Sequence, residues 1–337
     1  LAITTILEKG SHLIASKTLY GGSHNLLEYT LPRFGIDTTF VDLRKTSEVK
    51  KNIKKNTKLI FGETLGNPGL DVMNIPKISK LAHDHNIPLL VDSTFTTPYL
   101  MKPFSLGADL IFHSATKFLS GHGVVIGGLL VDSGQFDWTT SSKFKVLTEP
   151  YEGFHGMNFV NEFGPAAYIN RARKEGARDF GACMSPHTAF LVLQGMETLN
   201  LRMERHIKNT RDIVNFLNTH KSVKSVCYPE LDDHPDHKLA KELLPDGCGA
   251  VFTFELNGNI ETGKKFIEQL NLFSHLANVG DAKSLVIHPA STTHHRMNTE
   301  DLKKAGITES TIRLSIGIED SQDLIEDLDE ALTYSTK

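Results

Sequence analysis

The stretch Ile111-Phe112-His113-Ser114-Ala115-Thr116-Lys117-Phe118-Leu119-Ser120-Gly121-His122-Gly123 runs from apolar residues straight into hydroxyls, a lysine and glycines. Its first part, with Asp109 and Leu110, predicts a buried strand, so the polar residues fall at that strand's carboxyl end. A lysine after a strand is ordinarily a solvated surface residue. One shielded at a strand end is instead an amine that burial can hold neutral and nucleophilic. The glycines do not form a dinucleotide fingerprint, because Gly121 and Gly123 would require a third glycine at position 126, where isoleucine stands.

Upstream of this stretch, short apolar runs at His12–Ala15, Thr38–Val41, Lys58–Phe61 and Pro88–Val91 predict further strands. Helical patterns over Asn25–Phe34, Ser47–Lys54 and Ile75–His85 alternate with them. Near-continuous apolar strands alternating with helices predict an α/β fold with a mainly parallel central sheet covered on both faces. Ligands of such sheets bind at the carboxyl ends of the strands, where Lys117 is expected. Before the first strand, Leu1–Glu8 reads as the tail of a helix stopped by Gly10. The chain opens on Leu rather than Met, so residues are expected to precede it, and any targeting segment would lie among them.

Downstream, residues 133–176 lose the alternation and are rich in aromatic and polar side chains, including Trp138, Phe144, Tyr151 and Phe154. They read as an ordered insertion whose last part is helical. A long helical region over Ser185–His220 is expected to bridge two domains. Strands at Val223–Tyr228, Ala250–Glu255 and Ile312–Ile316 then interleave with helices at Lys238–Leu244, Thr262–Leu270 and Asp320–Tyr334, a smaller α+β domain. The implied division is a large domain over 1–205, including the insertion, and a C-terminal domain over 206–337.

Bulk properties narrow the function classes. With 337 residues, the chain can bury a large core. Its 36 basic and 40 acidic side chains give a net charge of −4, with no basic bias for nucleic acid or an anionic membrane surface. No apolar stretch approaches the roughly 18 residues of a membrane span. Cys183, Cys227 and Cys248 are too scattered for a disulfide framework or a zinc knuckle, which favours a reducing, cytoplasmic setting and simple packing roles. Asp232-Asp233-His234-Pro235-Asp236-His237 has metal-ligand residue types, but it precedes a helix and reads as a solvated cap, so no metal is expected.

Four other segments carry residue types suited to chemistry. Ile87–Asp92 is an apolar run ending in a carboxylate, costly to bury unless a cation meets it, although Asp is also an ordinary helix N-cap. Leu19-Tyr20-Gly21-Gly22 offers an aromatic face and a phenol, or merely the cap of a helix. Glu63-Thr64-Leu65-Gly66-Asn67-Pro68 suits a polar contact at Asn67, or simply a turn before a helix. Arg313 interrupts the apolar strand Ile312–Ile316, as a planar fork matched to a ligand carboxylate would, or as half of a structural ion pair.

Taken in order, Tyr20, Asn67, Asp92, Lys117 and Arg313 resemble the motif series of the Cys/Met-metabolism enzymes dependent on pyridoxal 5′-phosphate (PLP), and the resemblance covers essentially the whole chain. It implies the type I, aspartate aminotransferase-like fold, with PLP held by Lys117 as a Schiff base. On the same resemblance, Ser114 and Thr116 bind the cofactor phosphate and Asp92 keeps the pyridine nitrogen protonated. Tyr20 stacks on the ring and assists proton movement, and Asn67 reaches the ring hydroxyl. Arg313 takes the α-carboxylate of an amino-acid substrate, and Asn278, in the segment His275–His294, helps to orient it. Further phosphate ligands are expected from residues before Leu1 and from a neighbouring subunit.

Within the family, Thr148–Gly156, Asn161–Tyr168 and His275–Lys283 are similar to the O-acetylhomoserine sulfhydrylase branch, and Gly22 stands where methionine γ-lyases carry cysteine. The implied reaction is γ-replacement on O-acetyl-L-homoserine by sulfide or a small thiol, giving homocysteine and acetate in methionine biosynthesis. The implied assembly is a homotetramer, a dimer of dimers with shared active sites. Cystathionine γ-synthase and methionine γ-lyase activities are the alternatives within the family. A nucleotide-binding oxidoreductase and a non-catalytic partner subunit are those outside it.

Overall fold

The computed structural model describes residues 1–66, 69–293, 295, 300, 302 and 306–335. Six strands form the first sheet: β1 (His12–Ser16), β2 (Asp37–Val41), β3 (Thr57–Glu63), β4 (Leu89–Asp92), β5 (Leu110–Ser114) and β6 (Gly128–Asp132), in the order β2-β1-β3-β4-β5-β6. All neighbouring pairs are parallel except β5 and β6, which are antiparallel. The apolar strands follow from burial on both faces. Ile14, Ile60 and Val91 enter one core with Ile75, Ile78 and Ala82 of the helix Ile75–His83. Their strand neighbours Leu13, Leu59 and Leu90 point the other way, into a second core. That second core is closed by residues of 133–176: Trp138 stacks on Tyr168 at 5.4 Å between ring centroids, and Phe144 and Phe159 are buried beside them.

The second sheet comprises β7 (Val223–Cys227), β8 (Val251–Leu256), β9 (Ser274–His275), β10 (Leu285–Ile287) and β11 (Thr311–Ser315), ordered β7-β8-β11-β10-β9. Phe252, Phe254 and Leu314 of this sheet share the first core with Met203 and Ile207 from the helix Leu199–Thr219. One continuous apolar core therefore joins the two sheets, and position 205 lies inside that helix.

Three local expectations change. The helical region 185–220 is two helices, Pro186–Glu197 and Leu199–Thr219, broken at Thr198, whose ψ of 10° leaves the helical region. Leu1–Glu8 is not a helix tail; it forms isolated turns, with Thr5 N–H donating to Leu1 O and Leu7 N–H to Ile3 O. The run before Phe34 is not a uniform α-helix over Asn25–Phe34 but an α turn at Gly21–Asn25, a π turn at Leu26–Thr30 and a 3₁₀ turn at Leu31–Phe34. No described helix is long and apolar enough to cross a membrane.

Candidate active site

Glu63, Asp92 and Ser114 end β3, β4 and β5, so the carboxyl edge of the parallel sheet gathers polar side chains from adjacent strands. A cavity of about 500 Å³ opens there, and its walls include Tyr20, Asp92, Ser114, Thr116, Lys117, Asn278 and Arg313. Seven of the eight residues singled out in the sequence thus share one cavity. The eighth, Asn67, lies outside the described residues.

Lys117 sits in the irregular turn that follows β5. Burial, and next the Arg313 guanidinium, lower the pKa of its amine, as a nucleophilic lysine requires. Its Nζ donates a hydrogen bond to Asn278 Oδ1, and Arg313 Nη2 approaches the backbone oxygen of Asn278 at 3.5 Å. Asn278 therefore links the lysine of the first sheet to the arginine of the second. Its loop is held down at Gly280, which has φ of +74° and lies so close to Phe118 that a Cβ would stand 2.6 Å from the Phe118 nitrogen. Only glycine meets both conditions without strain.

Asp92 is buried, and burial raises its carboxyl pKa to about 6, against hydrogen bonds from the Thr94 hydroxyl and N–H that favour the charged form. Among the described residues no cation pairs with it. Arg313 is in the complementary position: it sits within apolar β11, desolvation lowers its pKa to about 10, and no described carboxylate lies within ion-pair distance. The site thus presents a carboxylate wanting a cation and a guanidinium wanting a carboxylate. A ligand combining a protonated ring nitrogen, a lysine-reactive carbonyl and, through its substrate, a carboxylate fits this donor set.

Tyr20 stands half-exposed at the mouth, capping the helix Gly21–Asn25. Its ring lies over Gly22, where a Cβ would come within 2.5 Å of ring carbon Cε1. The Ser114 N–H donates to Thr94 Oγ1 at 2.9 Å. The Thr116 hydroxyl is engaged by Gly127, accepting from its N–H at 3.0 Å and donating to its oxygen at 3.3 Å.

Glu63 was missed as a site residue. It is buried on the cavity wall, register-paired with Asp92, and accepts the Tyr20 N–H at 2.6 Å. Burial first, and then the Asp92 charge, hold its carboxyl pKa well above the ordinary range. The signal was present, since Lys58–Glu63 is an apolar run closed by a carboxylate, like Ile87–Asp92. Outside the cavity, the carboxylate of Asp236 does not cap the helix His237–Leu243 but accepts the Val72 N–H at 3.0 Å. Cys248 is buried, as packing requires, whereas Cys183 is exposed.

The family model for Cys/Met metabolism PLP-dependent enzymes matches residues 1–333. The chain is 45% identical to the O-acetyl-L-homoserine sulfhydrylase of Leptospira meyeri, over 98% of this chain and 77% of that protein. It is also 45% identical to the homocysteine synthase of Schizosaccharomyces pombe, over 98% and 78%. A crystal structure from Campylobacter jejuni, assigned as an O-acetylhomoserine (thiol)-lyase and carrying N′-pyridoxyl-lysine-5′-monophosphate, superposes with a TM-score of 0.95 at 38% identity, covering 98% of this chain and 79% of that one. With that match along the whole chain, on a scaffold whose strand ends carry a shielded lysine and a buried carboxylate, the chain belongs to the Cys/Met metabolism family of PLP-dependent enzymes of fold type I, and pyridoxal 5′-phosphate is its cofactor.

Proposed function

We propose that the protein exchanges the acetyloxy group of O-acetyl-L-homoserine for sulfide, or a small thiol, at the γ carbon, yielding L-homocysteine and acetate for methionine biosynthesis. The observation that carries this reading is the single cavity uniting Lys117, Asp92 and Arg313, in a chain whose relatives at 45% identity bear the sulfhydrylase and homocysteine synthase names.

In this reading Lys117 is the amine that engages the cofactor aldehyde. Asp92 faces the pyridine nitrogen, Ser114 and Thr116 the phosphate, Asn67 the ring hydroxyl, and Tyr20 the ring face. When bound, the cofactor supplies an electron sink for charge developing on the substrate. Arg313 fixes the substrate carboxylate by a two-pronged, charge-assisted contact, with Asn278 beside it. The Lys117 amine is the group placed to take protons from the α and β carbons of the substrate and to return one to each, and its lowered pKa favours the neutral form that can accept them. Tyr20 is the second group placed to pass a proton. In net terms the Cγ–O bond breaks, a Cγ–S bond forms, and the proton lost by hydrogen sulfide leaves with acetate.

Gly22 supports replacement over the lyase reading, because methionine γ-lyases carry a cysteine at this position, whereas here the Tyr20 ring lies where a Cβ would stand. We assign residues 1–205 to the cofactor domain and 206–337 to the C-terminal domain, and place the enzyme in the cytoplasm as a homotetramer of two site-sharing dimers. Purified protein supplied with O-acetylhomoserine and sulfide should form homocysteine and acetate. Turnover only with O-succinylhomoserine and cysteine, or release of a keto acid from methionine, would overturn the reading.

A further inference from the structure

The turn that carries Lys117 is irregular, so its backbone oxygens must find partners outside a helix. Two are satisfied locally: Ser120 Oγ donates to Thr116 O at 3.2 Å, and Gly121 N–H donates to Lys117 O at 2.8 Å. The next two, on Phe118 and Leu119, accept from one side chain that arrives from far along the sequence. Arg202, in the first turn of Leu199–Thr219, donates from Nη1 to Phe118 O at 2.8 Å and from Nη2 to Leu119 O at 3.4 Å. The same guanidinium also donates to Gly195 O at 2.6 Å and to Thr198 Oγ1 at 3.2 Å, tying the turn to the junction of two helices.

Arg202 is 4% exposed, and among the described residues it has no carboxylate partner. A buried guanidinium without a counter-ion is a costly structural device, and an apolar side chain would fill the space more cheaply. The surroundings are shaped around it. A Cβ on Gly121 would fall 2.2 Å from Arg202 Nη1, and one on Gly195 would fall 2.1 Å from Ser120 O, so the helix backbone lies directly on the lysine turn. A lysine at 202 could not reproduce the contact, because a single ammonium cannot serve carbonyls spread across a planar fork.

We propose that Arg202 is a positioning residue for the reaction: its guanidinium fixes the backbone of residues 118–119 and thereby aims the Lys117 amine into the cavity. The inference rests on Lys117 being the cofactor lysine. A displacement of about 1 Å at a reacting group costs ~100-fold in rate, so the loss should fall on kcat. KM should hold, because Arg313 sits on the other sheet and has no contact with Arg202.

The test uses Arg202→Lys and Arg202→Met. In cofactor-stripped protein, the reactivity of each lysine toward acetic anhydride is followed against pH by mass spectrometry. In wild type the Lys117 profile should be displaced below that of surface lysines. In both variants it should move back toward theirs, while in the holoenzyme kcat falls about 10- to 100-fold at near-constant KM. An unchanged Lys117 profile in the lysine variant, or activity lost only in proportion to folded protein, would overturn the proposal. Should the methionine variant not fold, the lysine variant decides by the same readouts. Borohydride reduction of wild-type holoenzyme keeps the premise separate, because cofactor trapped on a lysine other than 117 would refute the reading of Lys117 and leave the Arg202 contacts untouched.

Discussion

Replacing Asp92 by asparagine should make the cofactor-free protein more stable while ruining it as a catalyst. The carboxyl pKa rises from an ordinary 3.8 to about 6, a shift of about two units, and at 1.36 kcal/mol per unit this corresponds to ~3 kcal/mol. The sign follows from proton binding. The folded state holds this proton more tightly than the unfolded chain, so below pH ~4 both states are protonated and the group costs nothing. As pH rises through about 6 the unfolded chain ionises first, and the fold loses up to the full ~3 kcal/mol. Asparagine keeps an oxygen that can accept the Thr94 N–H, which Asp92 accepts at 2.9 Å, and carries no charge to desolvate. Its neutrality also relieves Glu63, whose carboxyl is raised in part by Asp92. Urea unfolding of the stripped wild-type and Asp92→Asn proteins between pH 4.5 and 8 should show a gap of about 1 kcal/mol at the acid end, widening to about 3 kcal/mol in favour of asparagine. A gap independent of pH, or a wild type more stable at pH 8, would refute the view of Asp92 as a desolvated carboxylate awaiting a cation.

Other substitutions probe the remaining walls of the cavity. Lys117→Ala should fold, yet borohydride should trap no cofactor on it; retained covalent cofactor by mass spectrometry would contradict the assignment. Arg313→Ala should weaken apparent substrate affinity by about 2–5 kcal/mol, the range for losing one partner of a desolvated charge pair, with cofactor absorbance nearly unchanged. Equal KM values for mutant and wild type would make Arg313 a structural residue. Gly280→Ala combines a φ of +74° with a Cβ only 2.6 Å from backbone, so thermal unfolding should show a loss of at least about 1–3 kcal/mol; an unchanged midpoint would mean that the loop carrying Asn278 is not held at this point.

The parts of this molecule legible in the sequence were those whose cause is local. Buried strands such as Leu89–Asp92 announce themselves as apolar runs, and a charged residue at the end of such a run, like Asp92 or Lys117, needs a chemical reason. The antiparallel strand β6 went unread because Gly127 and Gly128 look like loop while Leu129–Val131 gain their strand only by pairing with β5. The strands β9 and β10 are two and three residues long, too short for any periodicity to show. Arg202 was invisible for a different reason: its partners are backbone oxygens, and the bond to Phe118 spans 84 residues, so nothing near it in the chain distinguishes it from a surface arginine.

The central claim is that this site exchanges acetate for sulfide at the γ carbon of O-acetyl-L-homoserine. The most direct measurement is product analysis by mass spectrometry, with purified protein, PLP, sulfide and O-acetyl-L-homoserine labelled with ¹⁸O in its γ ester oxygen. The account requires homocysteine free of label, acetate carrying it, and neither product when Lys117 is alanine. Keto acid and ammonia in place of homocysteine, or homocysteine formed equally well by the Lys117→Ala protein, would contradict it.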